Sequence, residues 1–143
     1  MSEGRTRAAV DAWESVFRLQ ATLLRRFAAQ DVWGGLSVRE YDVLYTLARS
    51  GGRCRLGGLS EEVYLPQPSL SRLVDRLVAR GLLAREADPH DGRGVVVVLT
   101  GDGAALQREV GGRHAAGIAA EFSALSGEEL AELARLCRTV LGE

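Results

Sequence analysis

The chain has 143 residues, 46% of them hydrophobic and 26% charged, with a formal net charge of −1. That length suits one domain with a true core, and the composition is that of a soluble globular protein. It excludes a membrane span, since no apolar run approaches about 20 residues, and it excludes a zinc finger, since the two cysteines, Cys54 and Cys137, lack CxxC spacing.

The N-terminal MSEGRTRAAV has no apolar signal core, so a cytoplasmic protein is expected. All basic residues are arginine, so every cation can form planar bidentate bonds. Over residues 6–30, Val10, Trp13, Val16, Phe17, Leu19, Leu23, Leu24 and Phe27 fall at helical spacing. Trp33-Gly34-Gly35 breaks that pattern.

Ser37-Val38-Arg39-Glu40 reads as a capping box and predicts a helix to about Ser50, with Val38, Tyr41, Leu44, Tyr45 and Ala48 facing inward. Gly51-Gly52 ends it. Arg53 to Leu56 reads as a short extended segment and Leu59 to Tyr64 as a short helix. Leu65-Pro66-Gln67-Pro68 reads as a turn, because proline suits a first helical turn and not a helix interior.

The clearest helix spans Ser69 to Arg80. Leu70, Leu73, Val74, Leu77 and Val78 form its apolar stripe and Gly81 its stop. Its other face carries Arg72, Asp75 and Arg76, flanked by Ser69 and Ser71. From Pro66 to Arg80, Arg72, Arg76 and Arg80 face the single acid Asp75, whereas the last helices are predominantly acidic. A protein that meets a polyanion needs a positive charge only on the contacting surface.

Leu82 to Glu86 and Gly94 to Leu99 read as strands joined by the heptapeptide Asp88-Pro89-His90-Asp91-Gly92-Arg93-Gly94. His90 has no second ligand at metal spacing, so a metal site is not expected there. Thr100 is placed to cap the next helix, over 101 to about 122, where Gly111-Gly112 predicts a kink or break. Ser126-Gly127-Glu128-Glu129 is a second capping box, and Leu130, Leu133, Leu136, Cys137, Val140 and Leu141 share one face of the last helix. On that face Cys137 reads as a core residue.

The predicted class is therefore mainly α with a small β wing. A short helix, a tight turn and a second helix with a polar outer face describe a helix-turn-helix, and the following hairpin its winged variant. A plain helical bundle with an attached hairpin is the alternative. No nucleophile elbow, P-loop, HExxH or dinucleotide fingerprint is present, so neither an enzyme nor a cofactor is expected.

The runs Leu70-Ser71-Arg72-Leu73-Val74-Asp75-Arg76-Leu77, Arg80-Gly81-Leu82-Leu83, Asp88 to Gly94, and Leu99-Thr100 with Gly103 resemble the MarR family of winged-helix regulators. Leu36-Ser37 and Tyr41-Asp42-Val43-Leu44 also resemble that family's second helix. The resemblance covers nearly the whole chain, from the Trp13 helix to Val140, and implies a single domain over 1–143. It implies a homodimeric transcription regulator, usually a repressor. It implies dimerisation through helices in 6–30 and 101–141, DNA binding through a winged lobe over 37–100, and a small, often aromatic or phenolic, effector.

On this resemblance Gln67, Ser69, Ser71, Arg72 and Arg76 fall on recognition-helix positions, and Asp91 and Arg93 on the wing's D-x-R. Arg72 and Arg76 then serve guanine edges or phosphates, against a simple salt bridge of Arg72 with Asp75. Asp91 is expected to hold Arg93 by a charge-assisted bond, so that Arg93 enters a narrow minor groove. Trp13, Phe17, Tyr41, Tyr45 and His114 are candidates for the effector site, against ordinary packing. Cys54 lies between Arg53 and Arg55, and neighbouring cations lower a thiol's pKa, which would suit a redox sensor, against an inert cysteine near a strand. A winged-helix module that docks a protein partner is the further alternative.

Overall fold

A computed structural model describes residues 2–143. Its elements are α1 (Glu3–Ala28), α2 (Val38–Arg49), β1 (Arg53–Arg55), α3 (Leu56–Glu62), α4 (Gln67–Ala79), β2 (Leu83–Asp88), β3 (Asp91–Leu99), α5 (Gly101–Glu121) and α6 (Gly127–Leu141). They divide into two units: residues 28–113, and the chain up to Phe27 together with His114 onward. None of the helices is long and apolar enough to cross a membrane.

The 28–113 unit holds the core. Val43, Leu44, Leu47, Leu59, Leu70, Val74, Leu77, Leu83, Val97 and Val110 are fully buried there. Burying each such side chain is worth about 1.5–3 kcal/mol, so this set dominates the unit's stability. The expected capping box of α2 is present: the Ser37 hydroxyl accepts from the Glu40 amide at 3.0 Å, and the Ser37 amide donates to Glu40 Oε1 at 2.8 Å. The inward face of α2 is turned from the expected one. Tyr41 and Leu44 are buried, but Val43 and Leu47 complete the stripe, while Tyr45 and Ala48 are exposed.

A three-stranded antiparallel sheet has the order β1-β3-β2, so β3 is bonded on both edges. Both hairpin strands run further into the heptapeptide than expected. They pair out to Asp88 opposite Asp91, leaving Pro89 and His90 as the turn, with an irregularity at Ala87/Asp88. The strands continue because Asp88 caps the turn itself, its Oδ1 accepting from the His90 amide at 2.9 Å.

The wing joins α5 tightly. The Thr100 hydroxyl donates to the Gly81 carbonyl at 2.7 Å and accepts from the Gly103 amide at 3.0 Å, so it caps α5 as expected. Gly103 is required by space: a Cβ there would lie 2.1 Å from the Leu82 carbonyl oxygen. The break expected at Gly111-Gly112 is absent, and α5 is continuous from Gly101 to Glu121. Gly111 instead leaves room for the Tyr41 hydroxyl and Gln107, each 3.1 Å from where its Cβ would stand.

The other unit is sparsely packed within one chain. The Arg26 guanidinium pairs with Glu121 at 2.7 Å, and the Phe27 and His114 rings meet edge to face with centroids 4.9 Å apart. Leu23 and Phe27 are the buried residues of α1, and α6 has none. The second capping box, Ser126 with Glu129, starts α6 as expected. Cys137 was expected in a core but is exposed, because α6 buries none of its residues fully in the single chain.

Candidate nucleic-acid interface

The candidate interface is built on α4. Its first turn contains Pro68, where the missing amide has no intrahelical partner to lose, and the Leu70 amide closes on the Pro66 carbonyl at 3.0 Å. Leu70, Leu73, Val74 and Leu77 are buried, which forces Arg72, Asp75 and Arg76 outward.

The turn before α4 is fixed from several sides. The Leu65 amide bonds the Ser60 carbonyl at 3.2 Å, and the Ser60 hydroxyl donates to the Leu65 carbonyl. Arg39 Nη1 donates to the Val63 carbonyl at 3.4 Å. Tyr64, between these tethers, is left-handed at φ 56° with its side chain in solvent.

Ser69, Arg72 and Arg76 line one open groove of about 340 Å³ together with Ser37, Arg39, Leu65 and Leu73. Three guanidiniums and two hydroxyls thus converge beside a helix start, a donor-rich setting for an anion. Gln67, at the start of α4, lies over α3, its Nε2 3.5 Å from where a Cβ of Gly57 would stand. Ser71 is half-buried, and its backbone carbonyl accepts from Arg85 of β2 at 3.2 Å.

The alternative pairing of Arg72 with Asp75 does not occur; Asp75 pairs with Arg85 at 2.5 Å. Arg76 lies 3.9 Å from Glu40, whose other oxygen is already engaged in the capping box. Arg80, counted above with the positive face of the helix, turns back instead. It donates to the carbonyls of Gly35 at 3.1 Å and Gly34 at 3.4 Å.

At the wing, Asp91 Oδ1 accepts from the backbone amide of Arg93 at 3.0 Å. The expected bond to the Arg93 guanidinium is replaced by this main-chain one, which shapes the turn and leaves the Arg93 side chain exposed. The aspartate that does carry an ion pair is Asp88, buried and 2.7 Å from Arg55 Nε. Arg55, Asp88, Arg85 and Arg39 went unassigned in the sequence, because each acts across elements that sequence spacing does not connect.

The candidates for an effector site fall in both units. Tyr41 and Tyr45 stack with centroids 6.0 Å apart, Trp33 meets Tyr41 at 5.5 Å, and Arg49 lies 5.6 Å over the Tyr45 ring. In the other unit, Trp13 and Phe17 are exposed neighbours with centroids 6.2 Å apart, and His114 is half-buried against Phe27. Burial pushes the Tyr41 phenol up and the His114 imidazole down from their ordinary pKa values.

The lowered pKa expected for Cys54 is reversed. Burial and then Glu62 push the thiol up. The flanking arginines are engaged elsewhere, Arg53 with Glu86 and Arg55 with Asp88. Among the described residues no group of His, Cys, Asp or Glu is arranged to hold a metal.

A short helix and an outward-facing helix joined by a fixed turn, then a two-stranded arm, define a winged helix-turn-helix protein. Residues 34–94 match the MarR family profile. The chain is 36% identical over 74 residues to the multiple antibiotic resistance protein MarR of Salmonella typhimurium, covering 51% of each. It thus spans about half the length of that curated relative. Among solved structures it is similar to Sco3205, a MarR family transcriptional regulator of Streptomyces coelicolor in complex with DNA. The identity is 26% and the TM-score 0.80, over 99% of this chain and 88% of that one. It is also similar to BpsR of Bordetella bronchiseptica, whose DNA binding is regulated by 6-hydroxynicotinic acid. There the identity is 29% and the TM-score 0.72, over 88% and 98% of the two chains. Residues 34–94 thus carry MarR family sequence, and the chain has the fold of MarR family regulators.

Proposed function

We propose that this protein is a homodimeric DNA-binding transcription regulator, a repressor that leaves a pseudo-palindromic operator when a small aromatic ligand binds. The observation that carries the DNA-binding reading is the groove on α4, where Ser37, Arg39, Ser69, Arg72 and Arg76 converge without a matching set of acids. Gln67, Ser69, Ser71, Arg72 and Arg76 read or grip the major groove, and Asp91 shapes the wing for Arg93 to enter the minor groove.

The similarity to a DNA complex of Sco3205 supports the partner, and that to BpsR supports an aromatic effector. The apolar residues that α1 and α6 leave exposed, Trp13, Phe17, Leu136, Val140 and Leu141 among them, support a homodimer. In that dimer two α4 helices are spaced about 34 Å apart on successive major grooves. Trp13, Phe17, Tyr41, Tyr45 and His114 are the proposed effector contacts. The ligand acts by binding the DNA-incompetent state more tightly.

Fluorescence anisotropy on a duplex from the protein's own promoter, repeated across a salt series, tests the reading. Several arginine–phosphate contacts give a steep fall of affinity with salt. Arg93→Ala is expected to weaken binding and to flatten that slope by about one. Failure to bind the duplex even at low salt would favour a protein partner instead.

A further inference from the structure

Asp88 is the buried charged residue of the 28–113 unit, and its position is unusual. It ends β2, at the irregularity beside the wing turn. Its ion-pair partner Arg55 ends β1. These two strands do not touch each other in the sheet, because β3 lies between them. Arg55 is opposite Val96 of β3, and so is Glu86 of β2, so Arg55 and Asp88 meet on a diagonal over the central strand.

Gly94 of β3 makes that crossing possible. A Cβ at this position would stand 2.9 Å from Asp88 Cβ and 3.1 Å from its Oδ2, the oxygen that Arg55 holds at 2.7 Å. Any side chain at 94 would therefore push the carboxylate off its seat. The other oxygen, Oδ1, is used by the His90 amide, so the same carboxylate fixes the turn and ties it to β1. A second pair of the same kind, Arg53 with Glu86, crosses the sheet one step nearer its base. The hairpin tip is thus tied laterally to the strand that leads into α3, and does not hang from β2–β3 pairing alone.

We propose that Arg55 and Asp88 are positioning residues of the wing, which hold Arg93 at the angle and height from which it reaches DNA. The proposal rests on the reading of the wing as a DNA-gripping arm. Arg55 acts through Arg93: it spends its guanidinium on Asp88 and leaves the groove contact to the residue beyond the turn. A free β-hairpin samples many directions, so a fixed one reaches its bound geometry with less ordering on binding.

The proposal has a signature opposite to plain electrostatics. Asp88→Asn removes a negative charge from an arm read as meeting a polyanion, which by charge alone tightens binding. As a positioning residue, its loss weakens binding, by about fivefold, less than complete loss of a groove contact. The substitution keeps the size of the side chain and an oxygen for the His90 amide. Arg55→Ala is expected to weaken binding similarly, and Arg55→Lys to restore part of it.

The test is anisotropy on a duplex from the protein's own promoter, with each variant made in the natural chain and in an Arg93→Ala background. Weaker binding by Asp88→Asn and Arg55→Ala in the natural chain, and no further effect of either in the Arg93→Ala background, is the expected result. Tighter or unchanged binding by Asp88→Asn overturns the proposal. So does an equal loss in both backgrounds, which would mean a general structural role. If the natural chain fails to bind, or Arg93→Ala has no effect, the reading of the wing itself falls and takes the proposal with it.

Discussion

Asp75 of α4 and Arg85 of β2 meet at 2.5 Å, and the same guanidinium donates to the Ser71 carbonyl at 3.2 Å. Arg85 therefore clamps the wing's first strand to the middle of α4. It also occupies the one acid through which Arg72 could have been neutralised along its own helix. Arg72 makes no salt bridge among the described residues, so its guanidinium is available to a ligand. Arg72→Ala is expected to weaken promoter binding by about 1–3 kcal/mol at fixed salt while leaving the melting temperature near its starting value. Titrations of the variant and the natural chain side by side check this; equal affinities would remove Arg72 from the interface.

Tyr64 bears a backbone cost without packing in return. It sits at φ 56°, and its side chain is 85% exposed. A left-handed non-glycine residue costs about 1–2 kcal/mol, and glycine recovers this less the roughly 0.5–1 kcal/mol of extra entropy it loses on folding. Tyr64→Gly is expected to stabilise the protein by about 0.5–1 kcal/mol in urea unfolding. A destabilised variant would mean that the exposed ring carries contacts that matter to the fold.

Burial lowers the His114 pKa, so the folded state prefers the neutral ring. As pH falls past the ordinary value of about 6.5, the unfolded chain takes up the proton first. Stability therefore falls over the interval from about 6.5 down to the folded pKa, and is constant on either side as far as this group is concerned. Urea unfolding at neutral and mildly acidic pH should show a smaller difference for His114→Gln than for the natural chain. An identical difference would remove His114 as its source.

The Cys54 thiol is pushed up by burial and by Glu62, so little thiolate is present at neutral pH. Mild peroxide treatment is expected to leave promoter binding intact, and Cys54→Ser to bind like the natural chain. Loss of binding that reductant restores, and that Cys54→Ser abolishes, would establish a redox switch.

Much of the architecture was legible in the sequence because its signals are local. The capping boxes at Ser37 and Ser126 and the stripe Leu70-Leu73-Val74-Leu77 each lie within a few residues, and each forms as expected. What was missed depends on partners distant in sequence. Gly111 looks like a helix breaker until the Tyr41 hydroxyl is seen against it. Cys54 looks activated by Arg53 and Arg55 until those arginines are found on Glu86 and Asp88. The same holds for the wing: D-x-R drew attention to Asp91, whereas the ion pair belongs to Asp88. Gly94 was the available clue to it, since a glycine inside a strand, here directly before the run Val95 to Val98, often marks the close approach of another group.

Gly103 has a mechanical consequence. With 2.1 Å between its missing Cβ and the Leu82 carbonyl, the first turn of α5 rests directly on the backbone that leaves α4 and enters β2. Thr100 bolts the same junction from Gly81 to Gly103. There is no spacer side chain at this joint to compress or rotate. The start of α5, the end of α4 and the root of the hairpin therefore form one stiff knuckle, and any tilt of one must be shared by the other two.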